Sequence, residues 1–251
     1  MTTYGVLGVG SIAAAIVNGL CAQDAPPVVL SPRSAGTASD LAARFETVTV
    51  APDNQAVVDG SDVVVIAVLP GQVESVLAEL TFAERHAVVS VVAGVSLEDL
   101  TTWVAPASRV ARAVPLPAVA RREGRTPVFP PLPEAVTLFD VLGGAIAVED
   151  ATTYEALTAS SATVAAHFAF LGAIADWLVS KGLSVADARG YVAATFAGAS
   201  ESLRGPVDFA ELIAEVATPG GLNEQFAHDL GLPPVAVALD GVLSRLTVAE
   251  N

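Results

Sequence analysis

Cysteine, histidine and cationic side chains are all scarce in this chain, and each shortage removes a class of explanation. A single cysteine, Cys21, allows no intrachain disulfide, which fits a reducing compartment and predicts a cytoplasmic protein. The three histidines, His86, His167 and His228, fall at no metal-ligand spacing with it, so no metal is expected. Lysine and arginine number 12 against 27 acidic residues, a net charge of -15. That balance argues against nucleic acid or an anionic membrane surface as partner. Any anionic ligand must then be held by local donors, against the protein's own field. No uninterrupted apolar run reads as long enough to span a bilayer. A basic, then apolar, leader is also missing at the N-terminus, because the chain enters a strand-like run at once, so no signal peptide is expected.

What is plentiful is Ala, Val and Leu in short runs, giving 53% hydrophobic residues and a mean hydropathy of +0.58. At 251 residues the chain can bury one large core or two smaller ones. It opens on an apolar run, Val6-Leu7, that leads into Gly8-Val9-Gly10-Ser11-Ile12-Ala13 and then into an alanine-rich segment with helical spacing. Strand, glycine turn and helix N-terminus in that order have the form of a dinucleotide-binding loop. Gly8 permits the turn, Gly10 removes a Cβ that would block a pyrophosphate, and Ala13 allows close helix packing. The N–H groups of the first helical turn, at Ser11 and Ile12, then face an anion with the helix dipole behind them.

After a second strand at Val28-Val29-Leu30 comes Ser31-Pro32-Arg33-Ser34, where an NAD site usually carries an acidic residue for the ribose hydroxyls. Two hydroxyls and a guanidinium suit a 2′-phosphate instead, so the reading favours NADP(H) over NAD(H), the alternative being an ordinary surface arginine in a turn. Further strands are expected at 47–50, 62–69, 87–92, 109–114 and 145–148, with a short one near 127–129. They alternate with helices, which predicts right-handed crossovers and a doubly wound parallel sheet. Ligands in such sheets lie beyond the carboxyl ends of the strands, which gathers Gly8 to Ala13, Pro70, Gly94 and Pro115 around one crevice. Ala93 to Glu98 has a weak likeness to a nucleophile elbow, but Ser96 with Asp99 reads better as a helix cap.

Composition changes near residue 150, and we divide the chain into residues 1–150 and 151–251. A Thr152-x-x-Glu155 capping box opens an uninterrupted helix to Lys181-Gly182, about 40 Å long at about 1.5 Å per residue. Its apolar residues surround most of the helix, which requires burial, best supplied by a second subunit. Ser184-x-x-Asp187 and Asp208-x-x-Glu211 cap later helices, and a last one is expected from 234 to 248. Between them lies Thr218-Pro219-Gly220-Gly221-Leu222-Asn223. Two glycines at a helix start cost up to about 1 kcal/mol each if they lie within the helix. Either they end the preceding helix, or their N–H groups approach an anion such as a substrate carboxylate, helped by Thr218 and Asn223.

Six pieces in order and spacing make the chain similar to the pyrroline-5-carboxylate reductase family over nearly its whole length. They are Gly8 to Ala13, Ala67-Val68-Leu69-Pro70-Gly71-Gln72, Ser90 to Ser96 with Ala93-Gly94, Arg112-Ala113-Val114-Pro115, Gly124-Arg125-Thr126, and Thr218 to Gly221. The resemblance implies an N-terminal Rossmann domain and a C-terminal all-helical domain that dimerises, possibly within a higher oligomer. It also implies hydride transfer from NAD(P)H to the C=N bond of a cyclic imino acid, giving proline. On that basis Val68, Leu69, Pro70, Ala93, Gly94 and Pro115 line the cofactor site, and Thr218, Gly220 and Gly221 hold the substrate carboxylate. Asn223 stands where the family has a threonine near the ring nitrogen, and Thr195 matches a family Gln-Thr-x-x-Gly segment, so these two are candidates to orient that nitrogen. Leu116 replaces an asparagine of the family pattern, and Ala159 to Thr163 replaces Gly-Ser-Gly-Pro-Ala. Those departures leave open a sibling reductase on another imine or oxo acid, or a non-catalytic NADP-binding protein of the same fold.

Overall fold

The structure, a computed structural model, describes all residues except 24, 206, 232–233 and 249–251. It contains two compact units, one formed by Met1–Ser161 with the chain from Val242 onward, the other by Ala162–Gly241.

In the first unit, β1 (Tyr4–Leu7), α1 (Ser11–Leu20), β2 (Val28–Leu30), α2 (Ala35–Arg44) and β3 (Val48–Val50) make one half of a doubly wound sheet. The other half is α3 (Asn54–Asp59), β4 (Val63–Ile66), α4 (Val73–Leu77), β5 (Ala87–Ser90), α5 (Leu97–Trp103) and β6 (Arg109–Ala113). β7 (Thr126–Phe129), α6 (Pro133–Val141), β8 (Ala145–Ala147) and α7 (Ala151–Ser161) complete the unit. The eight strands lie in the order β3-β2-β1-β4-β5-β6-β7-β8. All neighbours are parallel except β6 and β7, which run antiparallel. The period of two along each strand sends alternate residues to two cores. Val6, Val63, Val65 and Val89 join α1 and α6 on one face, while Leu7, Val64, Ile66 and Val88 join α3, α4 and α5 on the other. A strand buried on both faces must be apolar at every position, which is why β4 reads as an unbroken Val/Ile run.

The second unit carries α8 (Thr163–Ser180), α9 (Val185–Ser200), α10 (Phe209–Val216) and α11 (Leu222–Leu230), and α12 (Val235–Val248) begins within it. Ser184 accepts the Asp187 N–H, and Asp208 accepts those of Ala210 and Glu211, so both expected caps are formed. The small buried cluster of Ala175, Ala188 and Val192 joins α8 to α9. Outside it, large apolar side chains stay exposed, among them Phe168, Trp177, Phe209, Leu222 and Phe226.

Three expectations are corrected. The single helix from Thr152 is two, α7 and α8, separated at Ala162. Its cap is Asp150 in place of Thr152: Asp150 Oδ1 accepts the Thr153 N–H at 2.8 Å, which holds that carboxyl below its ordinary range. Taken across the Ala162 turn, Ala151–Ser180 is long and apolar enough by length and composition to cross a bilayer, which the reading of apolar runs did not foresee. Its first turns are nonetheless committed to the sheet. Tyr154 is buried against Phe129 of β7, and Glu155, 2% exposed, pairs with Arg112 of β6 at 2.8 Å.

Candidate functional site

The strand order reverses between β1 and β4, and the Gly8 to Gly10 turn leaves β1 at that switch point, where doubly wound sheets bind ligands. The two glycines have different duties. Gly8 has φ +87°, and a Cβ there would lie 2.8 Å from the Ala67 carbonyl oxygen, so only glycine fits between β1 and the end of β4. Gly10, with φ -84° and ψ -168°, is under no such strain, and a Cβ built on it meets nothing within 4 Å. Its bareness therefore serves no packing need of the chain, and the space beside it is open. Gly10 is also the N-cap of α1, no side chain caps that helix, and Gly10 and Ser11 are exposed, with Ile12 half-buried. Uncapped N–H donors and the positive end of the helix dipole converge on an open space, an arrangement that fits a pyrophosphate.

Ser31 departs from its expected place beside a 2′-phosphate. It is fully buried, and its Oγ accepts the Gly8 N–H at 2.9 Å, so the hydroxyl fixes the glycine turn in position. Arg33 is exposed and Ser34 half-buried on the short helical turn after β2. A cleft of about 420 Å³ opens there between Pro32-Arg33 and Pro52 to Gln55. Along the carboxyl ends of β4 and β5, Val68 is half-buried and Leu69, Pro70, Ala93 and Gly94 are exposed, with Gly94 at φ +75°. Pro115 is buried, and Leu116 and Pro117 after it are exposed.

In the second unit, Thr218-Pro219-Gly220-Gly221 forms a tight turn closed by the Gly221 N–H donating to the Thr218 carbonyl at 2.8 Å, with Gly220 at φ +73°. Proline second and a positive-φ glycine third are the residues a type II turn demands. The donors expected to be free for a carboxylate are engaged. Besides the Gly221 bond, the Gly220 N–H donates to Glu224 Oε2 at 2.7 Å, and Asn223 Nδ2 donates to the Val216 carbonyl at 2.9 Å, ending α10. Thr195, exposed on α9, donates its hydroxyl to the Tyr191 carbonyl at 2.9 Å and keeps its lone pairs for a further donor.

Residue patterning named Arg112 and Glu155 but did not reveal their pairing, since they are distant in sequence and joined only through the fold. Tyr154 stacks its ring 4.8 Å from the Arg112 guanidinium. Together they tie the end of β6, just before Pro115, to the start of α7. Among the described residues, no group of His, Cys, Asp or Glu has the makings of a metal site.

The family described as "NADP oxidoreductase coenzyme F420-dependent" matches residues 3–94, and that described as "Pyrroline-5-carboxylate reductase dimerisation" matches residues 151–231. A pyrroline-5-carboxylate reductase of Synechocystis sp. is 30% identical over 229 residues, covering 86% of this chain and 85% of its own. The structure of a pyrroline-5-carboxylate reductase from Coxiella burnetii superposes with a TM-score of 0.83 at 25% identity, over 99% of this chain and 98% of its own. The pyrroline carboxylate reductase of Plasmodium falciparum, solved with NADP bound, shares the fold with a TM-score of 0.77 at 17% identity, over 100% of this chain and 98% of its own. Both units thus find their counterpart in one kind of protein, and the chain belongs to the pyrroline-5-carboxylate reductase family.

Proposed function

We propose that the protein is an NADPH-dependent reductase that converts pyrroline-5-carboxylate to proline, working as a cytoplasmic homodimer. The observation that carries this reading is the open, uncapped cradle at Gly10, built at the switch point of a sheet whose chain belongs to this reductase family. NADPH, when bound, supplies the hydride. Gly10, Ser11 and Ile12 would hold its pyrophosphate through main-chain N–H groups, with Arg33 and Ser34 on the 2′-phosphate. Val68 to Pro70, Ala93, Gly94 and the Pro115-Leu116 turn would form the walls. In the domain of residues 151–251, Thr218, Gly220 and Gly221 would grip the substrate carboxylate, and Thr195 and Asn223 would orient the ring nitrogen.

The chain brings little acid–base machinery to this task, and little is needed. A protonated cyclic iminium is already electrophilic, so the protein's contribution is to hold the two reacting carbons in contact and exclude water. Solvent delivers the nitrogen's proton. The exposed aromatic and aliphatic side chains of α8 to α11 support dimer formation through the helical domain, since a surface that apolar calls for a partner.

A steady-state screen of NADPH oxidation tests the reading, using pyrroline-5-carboxylate, pyrroline-2-carboxylate and piperideine carboxylates. Turnover highest on pyrroline-5-carboxylate is expected. NADPH binding without turnover on any of them would refute it.

A further inference from the structure

The turn read as the grip for the substrate carboxylate already holds a carboxylate of its own. Its three engaged donors are not equivalent. The Gly221 N–H closes the turn itself, and the Asn223 amide ends α10, so both are part of the local fold. The Gly220 N–H is satisfied instead by Glu224 Oε2 at 2.7 Å, the tip of a flexible, exposed side chain. An exposed contact of that kind is weak and readily exchanged. Its acceptor is also the functional group that a cyclic imino acid would bring to the same N–H.

We propose that Glu224 is an internal competitor that occupies the Gly220 N–H in the free enzyme and must swing away when the substrate carboxylate binds, so that it sets the KM. The proposal rests on reading Thr218 to Gly221 as the carboxylate site. One N–H cannot serve two carboxylates at full strength, and two anions crowded on one turn repel. Removing Glu224 therefore relieves both the competition and the repulsion. A purely structural cap at the start of α11 requires the opposite sign, since losing it loosens the turn and weakens binding.

The test compares wild type with Glu224→Ala, Glu224→Gln and Glu224→Asp at saturating NADPH. It also measures proline affinity for the NADP⁺-loaded protein by titration calorimetry, with thermal melts to confirm folding. Glu224→Ala should lower the KM for pyrroline-5-carboxylate and the Kd for proline by roughly two- to fivefold, the scale of one exposed charged contact. kcat should move less than KM. Glu224→Gln should show a smaller decrease, because its amide oxygen still accepts from Gly220. Glu224→Asp, too short to reach the N–H but still charged, should lower both constants less than Glu224→Ala does. An unchanged or raised KM in Glu224→Ala overturns the proposal. So does a wild-type KM in Glu224→Asp beside a lowered one in Glu224→Ala, which assigns the effect to charge alone. If Glu224→Ala fails to fold, the Gln and Asp variants decide by the same signs. A wild type that neither turns over pyrroline-5-carboxylate nor binds proline overturns the underlying reading, a distinguishable result.

Discussion

Gly8 and Gly10 stand two residues apart in one motif, yet alanine at each should break a different property. At Gly10 the backbone lies in the extended region that alanine adopts freely, and the added methyl meets no atom of the protein. The folding cost is limited to a poorer N-cap, about 0.5–1 kcal/mol, or about 2–4 °C in Tm. The methyl instead enters the space proposed for the pyrophosphate, where an overpacked contact of about 1–3 kcal/mol would translate into roughly 5- to 150-fold weaker NADPH binding. At Gly8 the left-handed φ of +87° costs alanine about 1–2 kcal/mol. The collision with the Ala67 carbonyl, 2.8 Å from the new methyl, is with backbone that cannot rotate away and adds about 1–3 kcal/mol. Gly8→Ala should therefore lower Tm by on the order of 10 °C. NADPH titration by fluorescence, paired with thermal melts, measures both quantities on both variants. Gly10→Ala binding NADPH as tightly as wild type would refute the assignment of that cradle to the cofactor.

Three further outcomes follow from single sites. Arg33→Ala should weaken NADPH binding by about tenfold or more while leaving NADH nearly unaffected, the loss of a charge-assisted contact to the 2′-phosphate; equal losses for both cofactors would count against that contact. Arg112→Met should destabilise by about 3–5 kcal/mol, because it removes the Arg112 cation from the buried Glu155 carboxylate, whereas the double variant Arg112→Met, Glu155→Leu should recover most of that loss in urea melts. His86 is buried, accepts the Ala83 N–H at Nδ1, and is held below its ordinary pKa first by burial and then by Arg85. With the folded pKa depressed, the unfolded chain binds more protons, so this residue's contribution is complete above about pH 6.5 and fades as pH falls through the unfolded and then the folded value. His86→Asn, whose Oδ1 takes the place of Nδ1, should show a smaller drop in urea midpoint between pH 7.5 and 5.5 than wild type.

How far the sequence could be read depended on how local the determining contacts are. β4 was legible because burial on both faces leaves an unbroken Val/Ile run. The helices α2 and α6 were not. α2 buries only Ala38 and Leu41, too thin a stripe to register as periodic, and α6 begins at Pro133 just after Pro130-Pro131-Leu132, where the prolines mask any helical period at its start. Ser31 was legible as a polar residue near the cofactor, but its role as the anchor of Gly8 depends on β1 and β2 lying side by side, which no local pattern announces. The pairing of Arg112 with Glu155 is non-local in the same sense. The Glu224 contact is only half local: a capping box's spacing from Gly221 would aim Glu224 at the Gly221 N–H, but the turn has already closed that donor onto Thr218, and the carboxylate takes the Gly220 N–H instead.

Both expected anion sites rely on main-chain donors in a chain of net charge -15, and they differ in how those donors are kept ready. At Gly10 readiness is built into the backbone: the Ser31 hydroxyl pins the preceding turn, and no side chain competes for the helix N-terminus. Such a site pays its ordering cost during folding, which favours affinity for a large anionic ligand. At Gly220 the donor is satisfied by a movable carboxylate, so on the proposed reading each binding event would displace one anion to admit another. That exchange spares an exposed N–H from standing unpaired and weakens the grip on substrate and product alike. Under the proposed function NADP⁺ and proline must both leave in every cycle, so a rigid cradle would serve affinity for the nucleotide, while an exchangeable one would keep proline weakly held.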